Sequence, residues 1–164
     1  MERTNQKKEW LEWFKAIIFA AITAILINSF VISTSIVEGE SMSPTLDDGD
    51  RIIFNKFVYL IGKPNRGDVV IIQRPLKNYV KRVIALPGET IEMRDFVLYI
   101  DGNPYEETFL DEQAHLQTGN FGPIQVPEDS YFVMGDNRGI SKDSRNGLGF
   151  IDEKHIIGRS EFII

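Results

Sequence analysis

An uncharged run near the N-terminus, from Ala16 to Ile32, constrains this chain more than any other feature. It reads AIIFAAITAILINSFVI, and its polar interruptions are Thr23, Asn28 and Ser29. Taken from Phe14 to Val37, the stretch holds roughly 24 residues, about 36 Å of helix, enough to cross a hydrocarbon core with some tilt. Trp10, Trp13 and Phe14 stand at its N-terminal edge, where amphipathic rings suit the water–lipid boundary. Arg3, Lys7, Lys8 and Lys15 precede the run, while Glu38 and Glu40 are the first charges after it. That bias orients residues 1–13 to the cytoplasm and residues 38–164 to the outside. A buried core helix of this length would carry a polar stripe, which the run lacks. Ser33-Thr34-Ser35 loosely imitates a signal-peptide cleavage site. The run is longer than a signal core, however, and Glu2, Glu9 and Glu12 dilute the positive leader. The expectation is an uncleaved transmembrane anchor over residues 14–37.

The rest of the 164 residues can bury a core of ordinary size as one domain. A net charge of −6 gives no nucleic-acid footprint, so no such partner is expected. The absence of cysteine excludes disulfides, thiolate metal sites and cysteine nucleophiles. His115 and His155 lie far apart without ligand-like spacing and read as surface or turn residues, so no metal or cofactor is expected.

Beyond Val37 the pattern changes to short apolar runs broken by Gly, Pro and Asp. Strands are predicted over Arg51–Val58, Asp68–Arg74, Tyr79–Leu86, Thr90–Ile100, Tyr131–Met134 and Ile156–Ile164. Turn signals separate them at Asp48-Gly49-Asp50, Arg66-Gly67-Asp68, Pro87-Gly88 and Asp101-Gly102-Asn103-Pro104, the last suggesting a hairpin. Asp111 to Pro127 is polar and aperiodic and reads as a surface excursion. Short strands without a strong amphipathic helix indicate a mostly β fold, a small barrel or sandwich.

Three segments differ from plain scaffold. The first, Glu38 to Leu46, is a turn just past the apolar run, with Ser41 between small, apolar and rigid neighbours. A lone serine more often caps or turns than reacts. A reacting one needs a base, and without a suitable histidine the candidates are carboxylates and lysines. The second segment, Tyr79 to Glu89, contains Lys81 and Arg82 in a strand that is apolar on both faces, so alternation alone leaves open which of them points inward. Chemistry separates them: guanidinium keeps its proton, whereas a desolvated ammonium becomes neutral near physiological pH and can accept the serine proton. The third segment, Gly135-Asp136-Asn137-Arg138 through Asp143-Ser144-Arg145, has the composition of a tight polar turn. An Asp143–Arg145 or an Asp136–Arg138 ion pair could hold it rigid, and Ser141 could orient the lysine amine. The same text fits a hairpin loop with no part in chemistry.

In this order and behind one anchor, the segments resemble the type I signal peptidases of bacteria, Ser-Lys enzymes that remove signal peptides from exported proteins. The matching text is Ser41-Met42-x-Pro44-Thr45-Leu46, Gly67-Asp68-Val69-Val70, Lys81-Arg82-Val83-Ile84-x-Leu86-Pro87-Gly88 and Gly135-Asp136-Asn137-Arg138…Ser141…Asp143-Ser144-Arg145. The short length and single anchor are similar to the compact Gram-positive members. The resemblance implies an antiparallel β-barrel-like protease domain, with Ser41 as nucleophile and Lys81 as general base. It further implies that Ser141 hydrogen-bonds the amine, that Asp143 and Arg145 form a supporting ion pair, and that the Ser41 backbone N–H serves the oxyanion hole. Gly39 stands where many members carry a serine hydroxyl for that hole, so the side chain offers no second donor. Ala85 replaces a usual glycine, and Gly139-Ile140 a usual Asp-Asn. The implied partners are signal peptides of exported preproteins and membrane lipid, and the implied location is the cell membrane.

Ile52, Ile53, Phe54 and Phe57 through Ile61 make an apolar surplus after the nucleophile, read partly as core and partly as a patch resting on the bilayer. Two other readings fit less of the text. One is a self-cleaving repressor-type Ser-Lys peptidase, disfavoured by the anchor and by the lack of a helix-turn-helix. The other is a non-catalytic membrane-tethered β-module that binds exported chains. N-terminal sequencing of the membrane-extracted protein is expected to find no mature form beginning at Ser35 or Ile36; such a form would replace the anchor by a cleaved leader.

Overall fold

The structure is a computed structural model that describes the backbone of residues 2–30 and 32–163; the side chains of residues 1–8, 26–32, 112 and 162–164 lie outside the described set. The elements in chain order are helix α1 (Glu2–Phe30), strands β1 (Ile32–Ile36) and β2 (Arg51–Asn55), helix α2 (Val58–Ile61), and strands β3 (Val69–Ile72) and β4 (Tyr79–Ala85). Next come β5 (Thr90–Arg94), β6 (Val97–Ile100), β7 (Asn103–Tyr105), helix α3 (Glu112–Gln117), β8 (Phe121–Gln125) and β9 (Ser130–Met134). A short β10 (Ile151–Asp152), one 3₁₀ turn and β11 (Ile156–Ile163) complete the chain.

The protein is mostly β, as expected, and every strand pairing is antiparallel. One sheet has seven strands in the order β1-β2-β11-β3-β4-β9-β10, and a smaller sheet has four in the order β7-β6-β5-β8. β1 and β10 each pair on one side only, so the large sheet is an open half-barrel rather than a closed one. Three apolar clusters fill it: Ile84, Ile91, Leu98 and Phe132 under the small sheet; Val70, Val83, Tyr131 and Val133 at the centre; and Val37, Met42, Leu46, Ile52, Phe54 and Ile71 beneath the segment that carries Ser41.

The N-terminal expectation needs correction at its boundary. The helix ends at Phe30, and residues 32–36 form β1 instead of continuing it to Val37. The Ile-Ser-Thr-Ser-Ile alternation suits a pleated strand, and β2 satisfies its backbone in a register running from Ile32 opposite Asn55 to Ile36 opposite Arg51. Among the described residues no helix is long and apolar enough to cross a membrane. The described side chains of α1 stop at Ile25, and the later part of the apolar run, with Val31, lies outside them.

Other departures have local causes. The strand predicted over Arg51–Val58 stops at Asn55, whose Oδ1 accepts the N–H groups of Phe57 (2.9 Å) and Val58 (3.2 Å) and turns the chain into α2. The apolar surplus divides accordingly: Ile52 and Phe54 are buried, whereas Phe57, Leu60 and Ile61 are exposed. The single strand predicted over Thr90–Ile100 is a hairpin, because Asp95 (φ 52°) and Phe96 (φ 63°) both enter the left-handed region and reverse the chain. No glycine marks that turn, so the sequence concealed it. The predicted Asp101-Gly102 turn connects β6 to β7. The excursion from Asp111 to Pro127 is structured: Asp111 caps α3 by accepting the Ala114 N–H at 2.8 Å, and β8 pairs with β5.

Gly122 lies in β8 at a φ of 87°, where an added Cβ would come within 2.6 Å of the Ile91 carbonyl oxygen and 3.0 Å of Glu92 Cα. Both obstacles are backbone and cannot swing away. Gly122→Ala is therefore expected to destabilise the domain by roughly 2 kcal/mol or more, read as a lowered denaturation midpoint.

Candidate active site

β4 lies between β3 and β9, which pair with both of its edges, and the consecutive burial of residues 81–85 shows that both of its faces are covered as well. Adjacent residues point to opposite faces, and here both are cations: Lys81 is 2% exposed and Arg82 is 8% exposed. The question that alternation left open is resolved by burying both, each towards different partners. Lys81 Nζ lies 2.6 Å from Ser41 Oγ and donates to the Val80 carbonyl at 2.8 Å. Burial lowers its pKa to about 8, against an upward pull from Asp143 and then Asp136 and a smaller downward push from Lys77. When the amine is neutral, its lone pair can receive the Ser41 hydroxyl proton across that contact.

Ser41 is held by its own loop. Val37, Met42 and Leu46 are buried, and they anchor the segment on both sides of the serine. The Leu46 N–H bonds the Met42 carbonyl at 3.0 Å, and the Asn137 N–H reaches the Ser41 carbonyl at 3.2 Å. Gly39 has a φ of 85° and gives its N–H to Asp48 Oδ1 at 2.6 Å. There is open space where its Cβ would stand, so the left-handed backbone rather than crowding favours glycine here.

On the opposite face of β4, Arg82 makes a bidentate pair with Asp136, Nε to Oδ1 at 2.9 Å and a terminal nitrogen to Oδ2 at 2.6 Å. The same guanidinium donates to the Gly67 carbonyl and lies 4.1 Å from the Phe109 ring centre. Thr45 Oγ1 donates to Asp136 at 2.5 Å, which ties the serine loop to the pair.

The third segment closes the site. Asp143 and Arg145 form their expected ion pair, with distances of 2.9 and 2.8 Å. Burial alone would raise the Asp143 pKa; the hydrogen bond and charge of Arg145, with the Gly135 N–H, outweigh it and hold the carboxyl below its ordinary value. The alternative Asp136–Arg138 pair does not form, because Asp136 is taken by Arg82 and Arg138 by Glu107. Ser141 is buried beside Asp143, but its Oγ makes no hydrogen bond to Lys81, so the bond to the amine implied by the resemblance is not made. Gly135 packs so closely on Ser141 and the Ser41 carbonyl that a Cβ would overlap both. Among the described residues no group of three or more His, Asp or Glu is placed to hold a metal ion.

A groove of about 520 Å³ opens over Ser41 and Lys81, with Val37, Met42, Ile71 and Val80 among its apolar walls. It presents a serine hydroxyl beside a desolvated amine, a candidate nucleophile within reach of a candidate base. Residues 10–164 match the family described as signal peptidase, peptidase S26. The chain is 50% identical to signal peptidase I of Bacillus licheniformis, over 98% of this chain and 91% of that protein. It is 48% identical to signal peptidase I T of Bacillus subtilis (99% and 90% covered) and 36% identical to signal peptidase IB of Staphylococcus aureus (95% and 90%). The crystal structure of a signal peptidase I from Enterococcus faecalis superposes with a TM-score of 0.54 at 36% identity, covering 60% of this chain and 97% of that one. The chain belongs to the signal peptidase family, peptidase S26. It is a serine peptidase whose activity is the removal of signal peptides.

Sequence reasoning missed Glu107, Phe109 and the Arg82–Asp136 pair, since none of these partners is near the other in the chain. The one available signal was Arg82, a second cation in a strand apolar on both faces. The lowered Lys81 pKa also has a sign for stability. An amine near 8 when folded and near 10.5 when free penalises the folded state fully below about 8, and the penalty fades as pH rises towards 10.5. Lys81→Met is therefore expected to stabilise the domain by roughly 1–3 kcal/mol at neutral pH. Denaturant titrations of both proteins should show that gap narrowing above about pH 8.

Proposed function

We propose that Ser41 is the nucleophile and Lys81, neutral when it acts, the general base of signal-peptide cleavage. The observation that carries this reading is the 2.6 Å contact between Lys81 Nζ and Ser41 Oγ in a groove of mixed polar and apolar lining. Ser41 Oγ attacks the carbonyl carbon of the scissile bond while its proton passes to Lys81. The protonated amine then gives that proton to the leaving nitrogen. A water molecule, deprotonated by the again neutral Lys81, hydrolyses the ester and frees Ser41. The Ser41 backbone N–H serves the developing oxyanion. Gly39 contributes no side-chain donor, and its N–H is committed to Asp48. Asp143 and Arg145 stiffen the loop above the dyad, and the buried Ser141 hydroxyl is the group left to orient the amine.

Substrate would lie extended in the groove between the Ser35–Ser41 segment and the start of β4, with small side chains admitted by its apolar walls. The partners are then signal peptides of exported preproteins and membrane lipid. The apolar run that begins in α1 would anchor the chain, residues 1–13 on the cytoplasmic side and the protease domain outside. Exposed Phe57, Leu60 and Ile61 would rest on the same bilayer.

The detergent-solubilised protein is expected to cleave a preprotein carrying Ala-x-Ala before its cut site, with the product confirmed by sequencing. Ser41→Ala and Lys81→Ala should each abolish cleavage while remaining folded, and retained activity in either would sink the dyad. Because protonation removes the base, kcat/KM should rise about tenfold per pH unit below the Lys81 pKa of about 8 and level off above it. A flat profile across that range would exclude a titrating lysine.

A further inference from the structure

Glu107 is 1% exposed, lies outside every segment that carries the family resemblance, and faces the fully buried Arg138 guanidinium. Its two carboxylate oxygens accept from the two terminal nitrogens of Arg138 at 2.5 and 3.0 Å. Arg138 Nε donates to the Gly135 carbonyl at 3.0 Å, and the Arg138 carbonyl accepts from Arg145 at 2.9 Å. Arg145 in turn holds Asp143, whose Oδ2 accepts the Gly135 N–H at 3.0 Å. Both polar groups of the Gly135 backbone are thus fixed by this one network, and Gly135 is the residue packed against Ser141 and the Ser41 carbonyl.

We infer that Glu107 is a positioning residue for the cleavage reaction, acting through Arg138 to hold the Gly135–Arg145 loop against Ser41 and Lys81. The inference rests on the Ser41–Lys81 reading. A second contact ties the same excursion to the same loop. Gly139 lies against Gln117 of α3, where an added Cβ would approach the Gln117 Oε1 to 2.8 Å. Phe109, two residues after Glu107, covers Arg82 on the other side of the loop. The segment from Glu107 to Thr118 therefore works as a clamp over the site's two buried arginines, with Thr118 Oγ1 as a further, longer acceptor for Arg138. Without the Glu107 charge, Arg138 is left buried and uncompensated, and the loop must shift to rehydrate it.

The test uses the full-length enzyme in detergent, a preprotein bearing Ala-x-Ala, and a serine-acylating inhibitor to count competent sites. In Glu107→Gln, kcat per titrated site should fall about tenfold to a hundredfold with KM within about twofold, the size expected of an ångström-scale misplacement. The charged groups that reach Lys81 are Asp143, Asp136 and Lys77. Burial lowers the Lys81 pKa and Asp143 draws it upward, so a loop that no longer sits against the lysine should also displace the acid limb of the pH profile. Glu107→Asp, which keeps the charge on a shorter arm, should show a smaller change in the same direction and secures the test where the glutamine variant fails to fold. A folded variant whose kcat per site and acid limb match the parent overturns the inference. So does a loss accounted for entirely by fewer titratable sites. If the unaltered enzyme neither cleaves nor is acylated at Ser41, the dyad reading fails instead, a result that Glu107 variants cannot imitate.

Discussion

The bidentate pair between Arg82 and Asp136 is the contact on which the site's geometry depends. It joins the central strand β4 to the loop after β9, and Thr45 adds the serine loop to the same carboxylate. A buried ion pair of this kind contributes little net stability, since desolvation offsets most of the attraction. Its effect lies in specificity: with one partner displaced, the other is a bare buried charge, so alternative arrangements of these three segments are strongly disfavoured. Lys81 is the neighbour of Arg82 in the chain and must point the other way. Fixing Arg82 therefore aims Lys81 at Ser41.

The two faces of β4 treat positive charge differently because their chemistry differs. Arg82 keeps its proton and is given a carboxylate, a carbonyl and an aromatic face. Lys81 is given a serine hydroxyl and one carbonyl, and burial lowers its pKa to about 8. Asp143 stands near enough to limit that fall, while Arg145 neutralises much of its charge. The site balances a lysine that is readily deprotonated against a framework that stays charged. Such a lysine burdens stability, which is a common condition of groups held ready for chemistry.

The small sheet and the excursion between β7 and β8 have a place in this arrangement. Phe109 approaches Arg82 of β4, while Glu107, Gln117 and Thr118 approach the loop that carries Arg138. The polar text from Asp111 to Pro127 read as a surface loop because its helix has only six residues and its strand lacks alternation. Its order comes from the Asp111 cap, from pairing with β5, and from docking against the Gly135–Arg145 loop. None of these has a period to detect.

The sequence by itself determined which residues are candidates for the chemistry, Ser41 and Lys81. A serine beside small and rigid neighbours, a lysine in a strand apolar on both faces, no cysteine and no suitable histidine leave few bases, and arginine is unfit for the task. The order of the four matching segments and the mostly β class were likewise legible, because turn residues and apolar runs are local signals. Tertiary structure decided what depends on distance across the chain. It set the end of the helix at Phe30, where β2 captures residues 32–36, and the hairpin at Asp95-Phe96. It also chose Arg82 over Arg138 as the partner of Asp136, and Glu107 as the partner of Arg138. Charge pairing has no periodicity along a sequence; any carboxylate can serve any cation, and only the packed backbone determines which of them are within reach.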